Sequence, residues 1–270
     1  MKDILTAPFL TELLRTVSAM YAHGWDERNG GNISVLLDES ELAPYLNLSD
    51  VKRVLPTGFD SPELAGKYFL VTGTGTYFRN IPLAPERDLG ILRISADGKN
   101  AELLWGYCEG GKFTSEFASH MMSHAERLKI DPAHRVVTHC HPTNLLAMTF
   151  VHSLDERDFT RTLWRMGIEG LVVFPDGVGV LPWMVCGTNE IGMATAEKMQ
   201  RSRIVIWSQH GIYGAGRTLD EAFGLIETAD KAAEVYLRIA GLPIVNMTTD
   251  AQLRALAESL HSRIREGYLD

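Results

Sequence analysis

Apolar residues recur along this chain with two different periods. Leu10, Leu13, Leu14, Val17 and Met20 are spaced three and four apart, which predicts a helix over residues 9–22 with Gly24 as its stop. Helices are expected in the same way at 114–130, from Pro142 to about 151, and at 156–164, 188–199, 218–240 and 250–264. Thr218-Leu219-Asp220-Glu221 reads as a capping box opening the longest of them. Shorter runs rich in branched apolar residues predict strands at 32–37, 68–71, 135–139, 178–184 and 204–207. Residues 91–95 and 101–105, separated by Ala96-Asp97-Gly98-Lys99-Asn100, read as a hairpin. Leu171-Val172-Val173-Phe174 reads as a buried strand, and the proline- and polar-rich stretch 43–66 as a long excursion. Hairpin and helix signals interleave without a regular βα alternation. The expected fold is therefore three-layer α/β/α, with a mixed, mainly antiparallel central sheet covered by helices on both faces, rather than a TIM barrel or doubly wound sheet.

Composition narrows the class. The chain of 270 residues has no repeat, low-complexity tract or linker, so one domain over 1–270 is expected. Its formal charge of −8 and lack of a Lys/Arg-rich run argue against a nucleic-acid partner. An anionic substrate must then be held by local donors. No apolar run reaches the roughly 18 residues of a membrane span, and Met1-Lys2-Asp3-Ile4-Leu5-Thr6 does not open a secretory signal. Cys108, Cys140 and Cys186 are scattered and odd in number, which suits a reducing, cytoplasmic setting better than a disulfide framework.

The chemistry concentrates in His139-Cys140-His141. Residues two apart on a strand project from one face, so both imidazoles can close on one ion while Cys140 points away. The pair follows an apolar strand and ends at Pro142, where a site can open. His210 is delivered by the end of another strand and is followed by Gly211. Two imidazoles from a strand and one from elsewhere leave a coordination position open, as a catalytic zinc requires. A rival set is Glu116, His120 and His124, four apart and so on one helix face. His120 is followed by Met121, so the His-Glu-x-x-His protease motif is absent, and the stripe reads as polar or half-buried. Glu116 stands apart from it, because the expected helix start places it in the first turn, able to reach the metal. His-x-His-x-Asp-His hydrolase and cupin patterns fail at Thr143, Asn144, Leu145 and Leu146.

Asn29-Gly30-Gly31-Asn32 and Thr72-Gly73-Thr74-Gly75 each set glycines among amide or hydroxyl side chains, and Thr114-Ser115 offers an expected helix N-terminus. Each alone is ordinary turn or cap chemistry. Together with a metal they suggest a phosphate cradle built from backbone N–H groups. Gly73-Thr74-Gly75 is followed by Phe78 where a dinucleotide fingerprint would need its third glycine.

Taken in order, the segments from Gly24-Trp25-Asp26-Glu27-Arg28-Asn29-Gly30-Gly31-Asn32, Val71-Thr72-Gly73-Thr74-Gly75, Thr114-Ser115-Glu116, His139-Cys140-His141, Leu171-Val172-Val173-Phe174-Pro175-Asp176-Gly177 to His210-Gly211 resemble the class II aldolase/adducin family across almost the whole chain. Within it they are most similar to the branch acting on L-rhamnulose 1-phosphate. The resemblance implies one zinc ion per subunit on His139, His141 and His210, and a phosphate site at Asn29, Asn32, Thr74, Gly75, Thr114 and Ser115. It implies Glu116 beside the metal and a fourfold homotetramer in which Glu169 reaches a neighbour's site as the second acid–base residue. The implied reaction is retro-aldol cleavage to dihydroxyacetone phosphate and L-lactaldehyde. Fuculose-phosphate aldolases, sugar-phosphate 4-epimerases and the non-catalytic adducin head are the alternatives within the family. Position 74 carries threonine where the family has serine, which retains the hydroxyl.

Overall fold

Alternation along the strands sorts the interior into two faces. The computed structural model describes all 270 residues. Its strands are β1 (Asn32–Leu37), β2 (Arg53–Pro56), β3 (Tyr68–Thr72), β4 (Leu89–Ile94), β5 (Asn100–Gly106), β6 (Val136–Cys140), β7 (Val178–Leu181), β8 (Ile204–Trp207) and β9 (Gly211–Gly216). They form one nine-stranded sheet in the order β2-β5-β4-β3-β1-β6-β9-β8-β7. Only β7 and β8 run parallel; the other neighbours are antiparallel.

Ile33, Val35, Leu70, Ile91, Val136 and Cys140 face a core shared with the helices Pro8–Ala22, Thr143–Val151, Glu156–Met166 and Leu219–Ile239. The alternate residues Leu36, Phe69, Val71, Leu92 and Ile94 pack on the helix Phe117–Ile130 through Phe117, Met121 and Ala125. Val137, Val205, Tyr213 and Ala215 meet the helix Asn189–Met199 through Ile191 and Met199 on that same side. Period-2 apolar residues buried on both faces are what a sheet sandwiched between helical layers requires. The expected mixed α/β fold with a mostly antiparallel central sheet is the observed one.

Several elements differ from expectation. The run Leu171-Val172-Val173-Phe174 lies largely in a short helix, Glu169–Val173, rather than a strand. Its buried residues are Gly170, Leu171 and Phe174, three and four apart, while Val172 and Val173 are half-buried. A short apolar run cannot separate these two periods by itself. The excursion contains an edge strand, β2, and the 250–264 helix stops at Ser259. The strand expected at 178–184 ends at Leu181, before Pro182, whose missing N–H cannot extend the ladder. The capping box at Thr218 is half formed: its hydroxyl accepts from Glu221 N at 3.0 Å, but Glu221 Oε2 accepts from Arg217 N at 2.7 Å.

β9 was not foreseen, because Gly211-Ile212-Tyr213-Gly214-Ala215-Gly216 has low strand propensity. Its glycines answer to packing. A Cβ at Gly214 would lie 2.9 Å from the Ala222 carbonyl, and one at Gly216 2.9 Å from the Ala222 nitrogen, so helix Leu219–Ile239 rests directly on the strand backbone. Gly214→Ala is therefore expected to destabilise the protein by about 1–3 kcal/mol, the usual cost of overpacking. Urea denaturation of the variant against the parent measures it, and equal midpoints would refute the close approach.

Candidate active site

β6 lies between β1 and β9 and brings three polar side chains together on one face: His139 stands opposite Asn32 on β1 and Tyr213 on β9. The Tyr213 ring stacks on His139 with centroids 4.5 Å apart and planes at 24°. His141 follows just past the strand end, its N–H donated to the Trp25 carbonyl at 2.9 Å. His210 occupies the turn joining β8 to β9, after Gln209 at φ 61°. Cys140 points to the opposite core, as alternation required.

The three imidazoles form an even triangle. Ring centroids of His139–His141, His139–His210 and His141–His210 are each 5.1 Å apart, and one nitrogen from each ring lies within 4.8 Å of the others. Hydrogen bonds behind two rings settle which nitrogens face inward. His139 Nδ1 donates to the Ile212 carbonyl and His141 Nδ1 to Glu27 Oε1, both at 2.9 Å. A neutral imidazole carries one N–H, so both Nε2 atoms present lone pairs. His139 Nε2 is buried and has no hydrogen-bond partner. Burial, then the neighbouring His141 and His210, holds His139 well below the ordinary imidazole range, and burial also lowers His210. Two inward Nε2 lone pairs with a third imidazole nitrogen within 4.8 Å are a donor set a divalent cation takes, so these residues fit a metal.

Tight clearances keep the triangle closed. A Cβ at Gly211 would lie 2.8 Å from His141 Cδ2 and 3.0 Å from His139 Cε1, and one at Gly30 2.9 Å from His141 Cε1. Both positions thus admit the rings only as glycine.

Glu116 is buried beside the triangle. Its Oε2 accepts from Asn32 Nδ2 at 2.9 Å and Tyr213 Oη at 3.1 Å and lies 3.4 Å from His139 Nε2, while Oε1 is 3.9 Å from His210 Nε2. The helix begins at Phe117, not Thr114, so Glu116 occupies the cap position and Thr114 and Ser115 lie in the preceding turn. The Thr114 hydroxyl accepts the Glu116 N–H at 3.3 Å, which turns the chain early. A second possible grouping, Glu116, Cys186 and His210, shares two of these residues but draws on an exposed thiol.

Asn29–Asn32, Gly73-Thr74-Gly75 and Thr114-Ser115-Glu116 line a cavity of about 180 Å³ together with the three histidines. No hydrophobic side chain contributes to its wall. The backbone N–H groups of Gly75 and Ser115 have no partner within the chain, leaving donors at the cavity wall. Every site position expected from the sequence is brought to this cavity except Glu169. That residue is exposed at the start of its short helix and does not line the cavity of its own chain. Tyr213 and Glu27 were missed. Tyr213 is hidden in the glycine-rich strand, though its spacing of three from His210 was visible.

Residues 11–237 match the Class II Aldolase and Adducin N-terminal domain. The chain belongs to the class II aldolase and adducin family. It is 57% identical to the rhamnulose-1-phosphate aldolase of Listeria monocytogenes over 270 residues, covering all of this chain and 99% of that one. The Enterococcus faecalis protein of the same name is 56% identical over 269 residues, covering 99% and 96%. Among solved structures, a sugar-phosphate aldolase from Thermotoga maritima superposes with a TM-score of 0.74 at 32% identity, covering 87% of this chain and 96% of that one. An L-fuculose 1-phosphate aldolase shares the fold, with a TM-score of 0.63 at 18% identity and coverage of 95% and 97%. This family member is an enzyme with class II aldolase function. No helix is long and apolar enough to cross a membrane.

Asp26, just before the cradle loop, is 1% exposed, and neither carboxyl oxygen has a partner. Burial, then the neighbouring Glu27, raises its pKa from 3.8 to about 8. A folded value above the unfolded one means its stabilising share is complete below the ordinary value and is lost as pH climbs towards 8. The slope is on the order of 1.4 kcal/mol per pH unit across that window. Asp26→Asn is expected to flatten the fall in denaturation free energy between pH 5 and pH 8, and an unchanged pH profile would contradict this.

Proposed function

We propose that the enzyme cleaves L-rhamnulose 1-phosphate to dihydroxyacetone phosphate and L-lactaldehyde, a step of L-rhamnose breakdown. The observation that carries this reading is the single cavity in which three imidazole nitrogens, a buried carboxylate and unpaired backbone donors converge. Full-length identity of 56–57% to rhamnulose-1-phosphate aldolases supports the choice of sugar.

In this reading His139, His141 and His210 hold one zinc ion, which supplies positive charge for the electron density that builds on the ketose oxygens as the C3–C4 bond breaks. Asn29, Asn32, Thr74, Gly75, Thr114 and Ser115 hold the phosphate through side-chain and backbone donors, which fixes C3 relative to Glu116. Glu116 exchanges the proton on the carbon that becomes nucleophilic. Its Oε1, which accepts no hydrogen bond within the chain, is the oxygen free to do so. The other terminus needs a base for the C4 hydroxyl proton during cleavage. In this reading, which follows the family resemblance, Glu169 of a neighbouring copy fills that role in a homotetramer with sites at subunit interfaces; exposed and outside its own chain's cavity, it has no access to that cavity itself. No lysine Schiff base is needed.

Purified enzyme is expected to cleave L-rhamnulose 1-phosphate with a higher kcat/KM than L-fuculose 1-phosphate and to lose activity on chelation, recovering it with zinc. Equal rates on the two sugars would remove the substrate assignment. Glu116→Gln should remain folded and metal-loaded, with turnover reduced at least about 100-fold, the lower range for a positioned acid–base group. Near-parental turnover in a coupled assay for dihydroxyacetone phosphate would exclude Glu116 as that group.

A further inference from the structure

Behind the cavity, the stripe Glu116-His120-His124, expected from the sequence to be polar or half-buried, is polar and buried throughout. His120 and His124 are fully buried, as is Ser34 of β1. The helix Phe117–Ile130 lies over the β1 face that carries Asn32 and Ser34, and the two repeats match. Four helical residues rise about 6 Å, and two strand residues advance about 6.8 Å. The five side chains therefore interleave as Glu116, Asn32, His120, Ser34, His124.

Contacts join each neighbouring pair. Asn32 Nδ2 meets Glu116 Oε2 at 2.9 Å, and Asn32 Oδ1 meets His120 Nε2. His120 Nδ1 meets Ser34 Oγ at 2.7 Å, and Ser34 Oγ meets His124 Nε2 at 2.8 Å. Only one arrangement of protons satisfies them all. A carboxylate only accepts, so the amide turns its NH2 to Glu116 and its oxygen to His120, whose Nε2 must carry a proton. Burial holds both histidines neutral, His124 with a pKa of about 3. His120 Nδ1 is thus bare and accepts a hydrogen bond from the Ser34 hydroxyl. Ser34 has no second proton, so His124 Nε2 donates to it. His124 Nδ1 is then bare, and it is indeed buried with no partner. Every hydrogen bond points towards Glu116.

We propose that His120, Ser34 and His124 are positioning residues for the reaction, a one-way donor chain that locks the Asn32 amide with its NH2 towards Glu116. With Tyr213 donating to the same oxygen, the chain pins Oε2 and leaves Oε1 to face the substrate. Without the His120 donor, Asn32 is free to flip and set its oxygen against the carboxylate, so the carboxylate is no longer held in one orientation. This inference rests on the proposed role of Glu116.

The test is steady-state cleavage of L-rhamnulose 1-phosphate by metal-loaded enzyme, with kcat expressed per metal-bound site. His120→Leu is expected to lower kcat at least about tenfold, the scale of losing a partner that orients a group beside a metal, with a smaller change in KM. His120→Gln, which can donate to Asn32 and accept from Ser34, is expected to recover to within about threefold of the parent. Unchanged kcat per metal-bound site in His120→Leu, or His120→Gln as impaired as His120→Leu, would overturn the proposal. A purely structural role would lower metal content and melting temperature and leave kcat per loaded site intact. Should His120→Leu fail to fold, Ser34→Ala removes only the hydroxyl and is expected to lower kcat per site about threefold or more by releasing the His120 tautomer. Full turnover in folded Ser34→Ala would likewise overturn it. Loss of activity in Glu116→Gln beside normal kcat in these variants refutes the chain alone, whereas full activity in Glu116→Gln refutes the reading beneath it.

Discussion

Imidazole lone pairs gathered at one point repel one another, and the surrounding structure is organised around holding them there. The Ile212 carbonyl and Glu27 take the outward N–H groups of His139 and His141, which turns both Nε2 atoms inward. Tyr213 stacks on His139, and glycines at 30 and 211 clear the space the rings occupy. A buried nitrogen without a partner is costly unless a cation joins it. The unpartnered Nε2 of His139 therefore ties the packing of β1, β6 and β9 to the chemistry of the cavity.

Polarity around the triangle is arranged by the same strands. Odd-numbered residues of β6 and the even-numbered residues Asn32 and Ser34 of β1 share a face, so register alone places Asn32 beside His139. From there a second layer of buried polar groups continues under the helix Phe117–Ile130. A buried hydrogen-bonded network can specify one geometry where an apolar core would permit several, at the cost of depending on every member. Glu116 sits where that network meets the triangle. Its two oxygens consequently have different surroundings, one held by donors and the other open to the cavity.

Much of this was legible in the chain. The His-x-His spacing on an apolar strand, His210 at another strand end and the glycine-rich turns meet at one cavity because strand alternation and turn chemistry are local rules. The fold class followed from mixed helical and hairpin signals. What escaped was decided by distant contacts. β9 hides behind its small residues, of which Gly214 and Gly216 let a helix approach and Gly211 clears the histidine rings. The 171–174 run took the helical period because Gly170, Leu171 and Phe174, rather than every second residue, met the core. His120 and His124 read as a polar or half-buried stripe because nothing in the helix alone reveals that Asn32 and Ser34 lie opposite. Glu169 is the reverse case, a residue known only through resemblance, which the fold of one chain leaves outside the cavity.

The central claim, that His139, His141 and His210 bind one ion together, is tested most directly by X-ray absorption fine structure at the zinc edge of the zinc-loaded enzyme. Three nitrogen scatterers at about 2.0–2.1 Å with the remaining coordination filled by oxygen is the expected spectrum. A sulfur shell at about 2.3 Å, which binding through Cys186 with Glu116 and His210 would produce, would contradict it.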